Sequence, residues 1–164
     1  MALFRSKARA AIKAQGDAAE RLLMVWLDRC ALPYLYVEQS PLTVPEGFRG
    51  EIKRPDFLVG IPTVGTMAFD VKAKTIYGDA IIIDAYEHRT FRNFETCFNI
   101  TVWYACFPPA EPNVCHLFKN RDLDSLRIMP KKGREAFAVP LKATHLADPR
   151  RHFMATLVGA ISSK

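Results

Sequence analysis

Residues 54–74 read RPDFLVGIPTVGTMAFDVKAK, and their reading decides the fold: thirteen residues separate Asp56, which follows Pro55, from Asp70, and Lys72 stands two beyond Asp70. Phe57, Leu58, Val59 and Ile61 predict one strand, 67–73 predicts a second, and Pro62 to Gly65 carries the turn signals of an antiparallel hairpin. Side chains alternate along a strand, so Asp70 and Lys72 share one face while Phe69, Val71 and Ala73 share the other. A hairpin loop of three or five residues sets Asp56 opposite Asp70 or Lys72 on that polar face, whereas a four-residue loop turns it away. Two carboxylates and a lysine so placed suit a hard, oxygen-loving cation, with an ammonium beside it to polarise water or steady charge on a phosphate.

The elements on either side supply the context. Ala19, Leu22, Leu23, Trp26, Leu27 and Cys30 fall at helical intervals after Gly16 and predict a helix over 17–30. A short strand is expected at 34–38, then a loop through Pro41, Pro45 and Gly47 leads into the hairpin. Ile81 to Ile83 suggests a small additional strand. Phe91, Phe94 and Phe98 predict a helix over 84–98, with His88, Arg89 and Arg92 on its other faces, and 100–107 reads as a buried strand stopped by Pro108-Pro109. Beyond it, strands are expected at 114–119 and 137–141, a short helix at 123–128, and a last helix opened by Asp148-Pro149.

Pro55-Asp56 and Asp70-Val71-Lys72, with the helix, three strands, helix and strand around them, resemble the PD-(D/E)XK nuclease superfamily. The resemblance spans 16 to about 107. It implies an α/β, restriction-endonuclease-like fold with an αβββαβ core, a central mixed sheet flanked by helices, and a C-terminal strand and helix extension over 108–164, all in one domain. It also implies a phosphodiester hydrolase using Mg2+, with Mn2+ as substitute, in which Asp56 and Asp70 hold the metal and Lys72 positions the water. Members often carry a metal-reaching glutamate on the first helix, and Glu20 occupies that place. Asp17 and Glu20 also fit a capping box, in which Glu20 bonds back to the helix start. The glutamine and tyrosine that some relatives carry on the second helix are missing, which leaves the branch and its substrate open.

Lys74 continues the face of Asp70 and Lys72 and is a candidate phosphate contact, as are Arg89 and Arg92, three apart on the second helix. Basic clusters at Arg5/Lys7/Arg9, Lys131/Lys132/Arg134 and Arg150/Arg151 offer further grip on phosphates. Asp84 and Glu87 read as a second capping box.

The net charge of +6 over 164 residues suits a polyanion partner, DNA ahead of RNA, and a chain this short leaves room for a homodimer or a partner protein. The four cysteines lack metal-ligand spacing and read as buried thiols of a reducing compartment; Cys115-His116 finds no second ligand pair. No leader or membrane span is visible, so the cytoplasm is the expected location. A Gly-rich phosphate loop and a Ser/His/Asp order are both absent, so nucleotide hydrolysis and acyl transfer have no support in the motifs. Two other readings keep the same fold: a nucleic-acid-binding or assembly module without turnover, and an exported nuclease toxin.

Overall fold

The computed structural model describes residues 2–40 and 43–162, with side chains from residue 10 onward. In chain order the elements are α1 (Ala2–Arg29), β1 (Tyr34–Tyr36), β2 (Phe57–Ile61), β3 (Gly65–Ala73), β4 (Ala80–Asp84), α2 (Ala85–Phe98), β5 (Val102–Phe107), β6 (Cys115–Lys119), β7 (Ile128–Lys131), β8 (Arg134–Pro140), β9 (His145–Ala147) and α3 (Phe153–Ser162). Six strands form a mixed central sheet in the order β1-β2-β3-β5-β6-β9, with only the β3–β5 pair parallel; β4, β8 and β7 form a second, antiparallel sheet.

Helices cover both faces of the central sheet, and each face has its own apolar core. Ala19, Leu23, Trp26 and Leu27 of α1, with Phe153 and Leu157 of α3, pack against Phe57, Phe69, Val71 and Trp103. Phe91 and Phe94 of α2 pack on the other face against Tyr104 and Cys106, together with Ile81 and Val139 of the small sheet. Because β3 is covered on both sides, it is buried from Met67 to Val71 and loses the in-out alternation of a half-exposed strand. Packing of this kind is worth about 25 cal/mol per Å2 of apolar surface withdrawn from water.

The hairpin takes the three-residue loop, since Ile61 pairs with Gly65 and Phe57 with Phe69. That register, carried one residue further, sets Asp56 against Asp70. Gly65 adopts φ +117 at the start of β3, a conformation open to glycine at little steric cost.

Three expectations are corrected, and the small strand expected at 81–83 forms as β4, paired with β8. α1 runs unbroken through Gly16, so Asp17 lies inside the helix and caps nothing. Only 120–125 is helical, as a 3-10 turn, where 123–128 was expected, and Ile128 already opens β7. The last helix starts at Phe153, because Asp148 Oδ1 accepts from Arg150 N at 2.9 Å, a local turn that spends the aspartate before any helix begins. Neither β7 nor β9 was foreseen.

Candidate active site

Asp70 is the centre of the site. Its side chain is completely buried on β3, and a buried carboxylate needs charged partners. It has two: Lys53 Nζ lies 3.1 Å from Oδ1, and Lys72 contacts Oδ2. Both lysines also reach Glu87 on α2, with Lys53 at 2.9 Å and Lys72 at 3.4 Å from Oε2. Two ammonium groups and two carboxylates thus alternate between β3, α2 and the loop before β2. Glu87 Oε1 is buried with no hydrogen-bond partner, and Asp70 Oδ2 has only its ion-pair contact with Lys72.

Asp56 is held at the edge of this quartet by its neighbours. Its carbonyl accepts from Val37 N at 2.8 Å, and its Oδ2 accepts from Val71 N at 2.7 Å. Burial, reinforced by the charge of Asp70, pushes its pKa up to about 7, against the opposing pull of Lys72 and the Val71 N–H. Burial alone would lower the Lys72 pKa, but Asp70 and Glu87 raise it overall, so its ammonium stays charged at any working pH. Glu87 is lowered despite its burial, because Lys72 and Lys53 favour its ionised form.

The other expected residues are placed as follows. Glu20 reaches out from α1 and its Oε2 accepts from Tyr36 OH at 2.9 Å; its charge still acts on Asp56. Among the described residues no three or more acidic, histidine or cysteine side chains converge as a metal cage, so Asp56, Asp70 and Glu20 are not brought together as one. Lys74 follows the end of β3 and helps lower Glu87. Arg89 is exposed, with its guanidinium 5.3 Å from the Tyr86 ring centre. Arg92 is tied to Glu95 at 2.7 Å and Asp124 at 3.4 Å, which leaves it committed within the protein. A groove of about 1090 Å3 between α2 and the small sheet is lined by Lys53, Lys74, Arg89 and Arg134.

Sequence reasoning missed Lys53 and misread Glu87. Asp84 does cap α2, accepting from Tyr86 N at 2.9 Å, but Glu87 turns inward to the lysines instead of back to the cap. Lys53 had no local signal, since only the tertiary fold brings the loop before β2 under α2. The side chains of Arg5, Lys7 and Arg9 lie outside the described residues, and Arg150 is paired with Asp148 at 2.8 Å. Cys97 is exposed, a correction to its expected burial, because it falls on the outer face of α2. Cys106 and Cys115 are buried, and burial pushes the Cys106 thiol up to about 12, so it remains a thiol beside the site. His116 Nδ1 is engaged by Thr144 Oγ1 at 2.8 Å.

The donor set suits a hard divalent cation. It is made of oxygen, it includes a buried carboxylate oxygen without a partner, and Asp56 resists ionisation because it is buried beside Asp70, a cost that a bound cation would offset. Mg2+ commonly takes one or two carboxylates and completes its shell with water and substrate phosphate, so no larger cage is required.

No protein-family model matches the chain, and no curated protein matches it. Fourteen chains of solved structures do. Hjc of Archaeoglobus fulgidus, a Holliday junction resolvase from an archaeal hyperthermophile, matches with a TM-score of 0.51 over 78% of this chain and 85% of that chain, at 18% identity. No helix among the described residues is long and apolar enough to cross a membrane. In its mixed sheet, flanking helices and β2–β3 hairpin, the chain has the restriction-endonuclease-like fold of that resolvase.

Proposed function

We propose that the chain is a metal-dependent nuclease that hydrolyses phosphodiester bonds in nucleic acid, DNA in preference to RNA. The observation that carries this reading is the hairpin register, which brings Asp56 against Asp70 with Lys72 on the same face. The likeness in fold to a Holliday junction resolvase supports DNA as substrate, and the +6 charge supports a polyanion.

Asp56 and Asp70 would hold Mg2+ or Mn2+, which when bound lowers the pKa of water and neutralises charge on the phosphate. Lys72 supplies a permanent positive charge fixed by two carboxylates, placed to stabilise charge that develops on the phosphate. The Val71 N–H fixes the rotamer of Asp56, leaving its other oxygen for the metal. Arg89 and Arg134, exposed along the groove, and half-buried Lys74 meet the phosphates of the bound strand, and Glu20 holds Tyr36 at the rim.

One observation favours a second reading, a nucleic-acid-binding module without turnover: both oxygens of Asp70 already face ammonium groups. Cleavage decides between the two. A four-way junction, duplex, single-stranded DNA and a structured RNA are incubated with Mg2+, Mn2+ or EDTA, for the parent and Lys72→Met. The nuclease reading requires metal-dependent cutting of at least one DNA that is lost in the variant. Binding without cutting under every condition would overturn it in favour of the silent module.

A further inference from the structure

The ammonium groups on Asp70 are not equivalent. Lys72 belongs to β3, at the centre of the sheet, and its side chain is 16% exposed; Lys53 enters from the groove side and is 33% exposed. The backbone that carries Lys53 is firmly seated. Tyr86 OH donates to Gly50 O at 2.6 Å, Lys53 N donates to Thr90 O at 3.3 Å, and Asn93 Nδ2 donates to Glu51 O at 2.7 Å. Tyr86, Thr90 and Asn93 recur at helical spacing, so one face of α2 anchors the whole of 50–53.

From that anchor the Lys53 ammonium passes 4.6 Å from the Phe91 ring centre and ends between Asp70 Oδ1 and Glu87 Oε2. A small positive charge there stands where a metal cation would be attracted, and it repels any cation approaching Asp70. The lysine side chain is flexible, and the groove beside it lets its ammonium leave without moving the anchored backbone. Glu87 Oε1, buried and unpartnered, is an acceptor held ready at the same place.

We propose that Lys53 is an internal counter-ion occupying a cation position between Asp70 and Glu87, and that a divalent metal displaces it and takes Glu87 as a ligand. The proposal rests on the metal reading of Asp56 and Asp70. Displacement turns the Lys53 ammonium out into the groove, where a substrate phosphate is its next partner. Lys53 is therefore a positioning residue that sets metal affinity and couples metal loading to substrate binding.

Manganese binding is titrated calorimetrically in the absence of substrate for the parent, Lys53→Met and Glu87→Gln. Lys53→Met is expected to bind Mn2+ about tenfold tighter or better, having lost its competitor, and Glu87→Gln about tenfold more weakly, having lost a ligand. In the unaltered chain, labelling by an amine-reactive ester, resolved by peptide mass spectrometry, is expected to rise at Lys53 with saturating Mn2+ and stay constant at Lys142. The labelling arm answers the question even if Lys53→Met fails to fold. Equal or weaker Mn2+ binding by a folded Lys53→Met, or unchanged Lys53 labelling at saturating Mn2+, overturns the proposal and leaves the metal reading standing. No Mn2+ binding by the parent or either variant overturns both.

Discussion

α2 carries two buried polar clusters, and they are built differently. The inner-facing cluster at Glu87 joins Lys53, Lys72 and Asp70, and it leaves Glu87 Oε1 unpartnered beside an Asp56 whose pKa is pushed up to about 7. About two turns on, Glu95 is 1% exposed and fully engaged: Oε1 accepts from Val102 N at 2.9 Å, and Oε2 pairs with Arg92 at 2.7 Å and Arg121 at 3.6 Å. Around it, Asn120 accepts from Tyr104 OH at 3.1 Å, donates to the His88 carbonyl at 3.3 Å and faces His88 Nδ1 at 3.0 Å. The Glu95 cluster is satisfied from within the protein and bolts α2 to β5 and the turn after β6. The Glu87 cluster is satisfied only in part, and on the proposed metal reading its unpartnered oxygen is an acceptor for a cation.

That contrast can be broken most forcefully at Glu95. Glu95→Ala leaves the Val102 N–H without its acceptor and takes a carboxylate from Arg92 and Arg121, and is expected to cost about 3 kcal/mol, lowering Tm by roughly 5–10 °C. Cleavage per folded molecule should persist below the melt. Loss of cutting with an unchanged melting curve would reverse the roles of the two clusters.

An effect of comparable size, with a sign opposite to that of an ordinary salt-bridged acid, is expected from pH. Asp56 titrates near 7 in the folded chain against an ordinary 3.8, so the folded state holds the proton more tightly between those values. Metal-free stability therefore falls as pH rises from about 4 to about 7 and levels off above, by at most about 4 kcal/mol at roughly 1.4 kcal/mol per pH unit. Chemical denaturation across that range is the measurement, with Asp56→Asn flattening the slope. The smallest effect belongs to the groove: Arg89→Ala, at an exposed guanidinium, should lower the salt-dependence slope of DNA binding by about one and leave stability unchanged.

Much of this molecule was legible before its structure. The β2–β3 hairpin, α2 and β5 follow from alternation, helical spacing and turn residues, all of them local, and Asp56, Asp70 and Lys72 follow from strand parity. What escaped was long-range. The β4 strand was foreseen without its partner, because nothing near Ile81 names it; that partner is Val139, far along the chain. Glu87 sat at a capping position and obeyed the local rule in pattern only, since the ammonium groups of Lys53 and Lys72 attract its charge more strongly than a helix terminus does. Lys53 was silent because its role exists only once 50–53 is docked on α2. Gly16 suggested a helix start, yet a glycine inside a helix costs it only about 1 kcal/mol, too little to break one carried by the stripe from Ala19 to Leu27.

The most direct test of the Glu87 side of the comparison is Asp56→Asn at pH 8, read for cleavage with Mg2+ and for Tm without it. Asparagine keeps an oxygen for the Val71 N–H and removes a charge that the metal-free fold tolerates poorly. The expected result is cleavage reduced to the EDTA background together with a melting temperature above that of the parent, the signature of a residue kept for chemistry at a cost in stability. Cleavage at the parent rate would contradict the assignment of Asp56 to the metal, whatever happens to the melt.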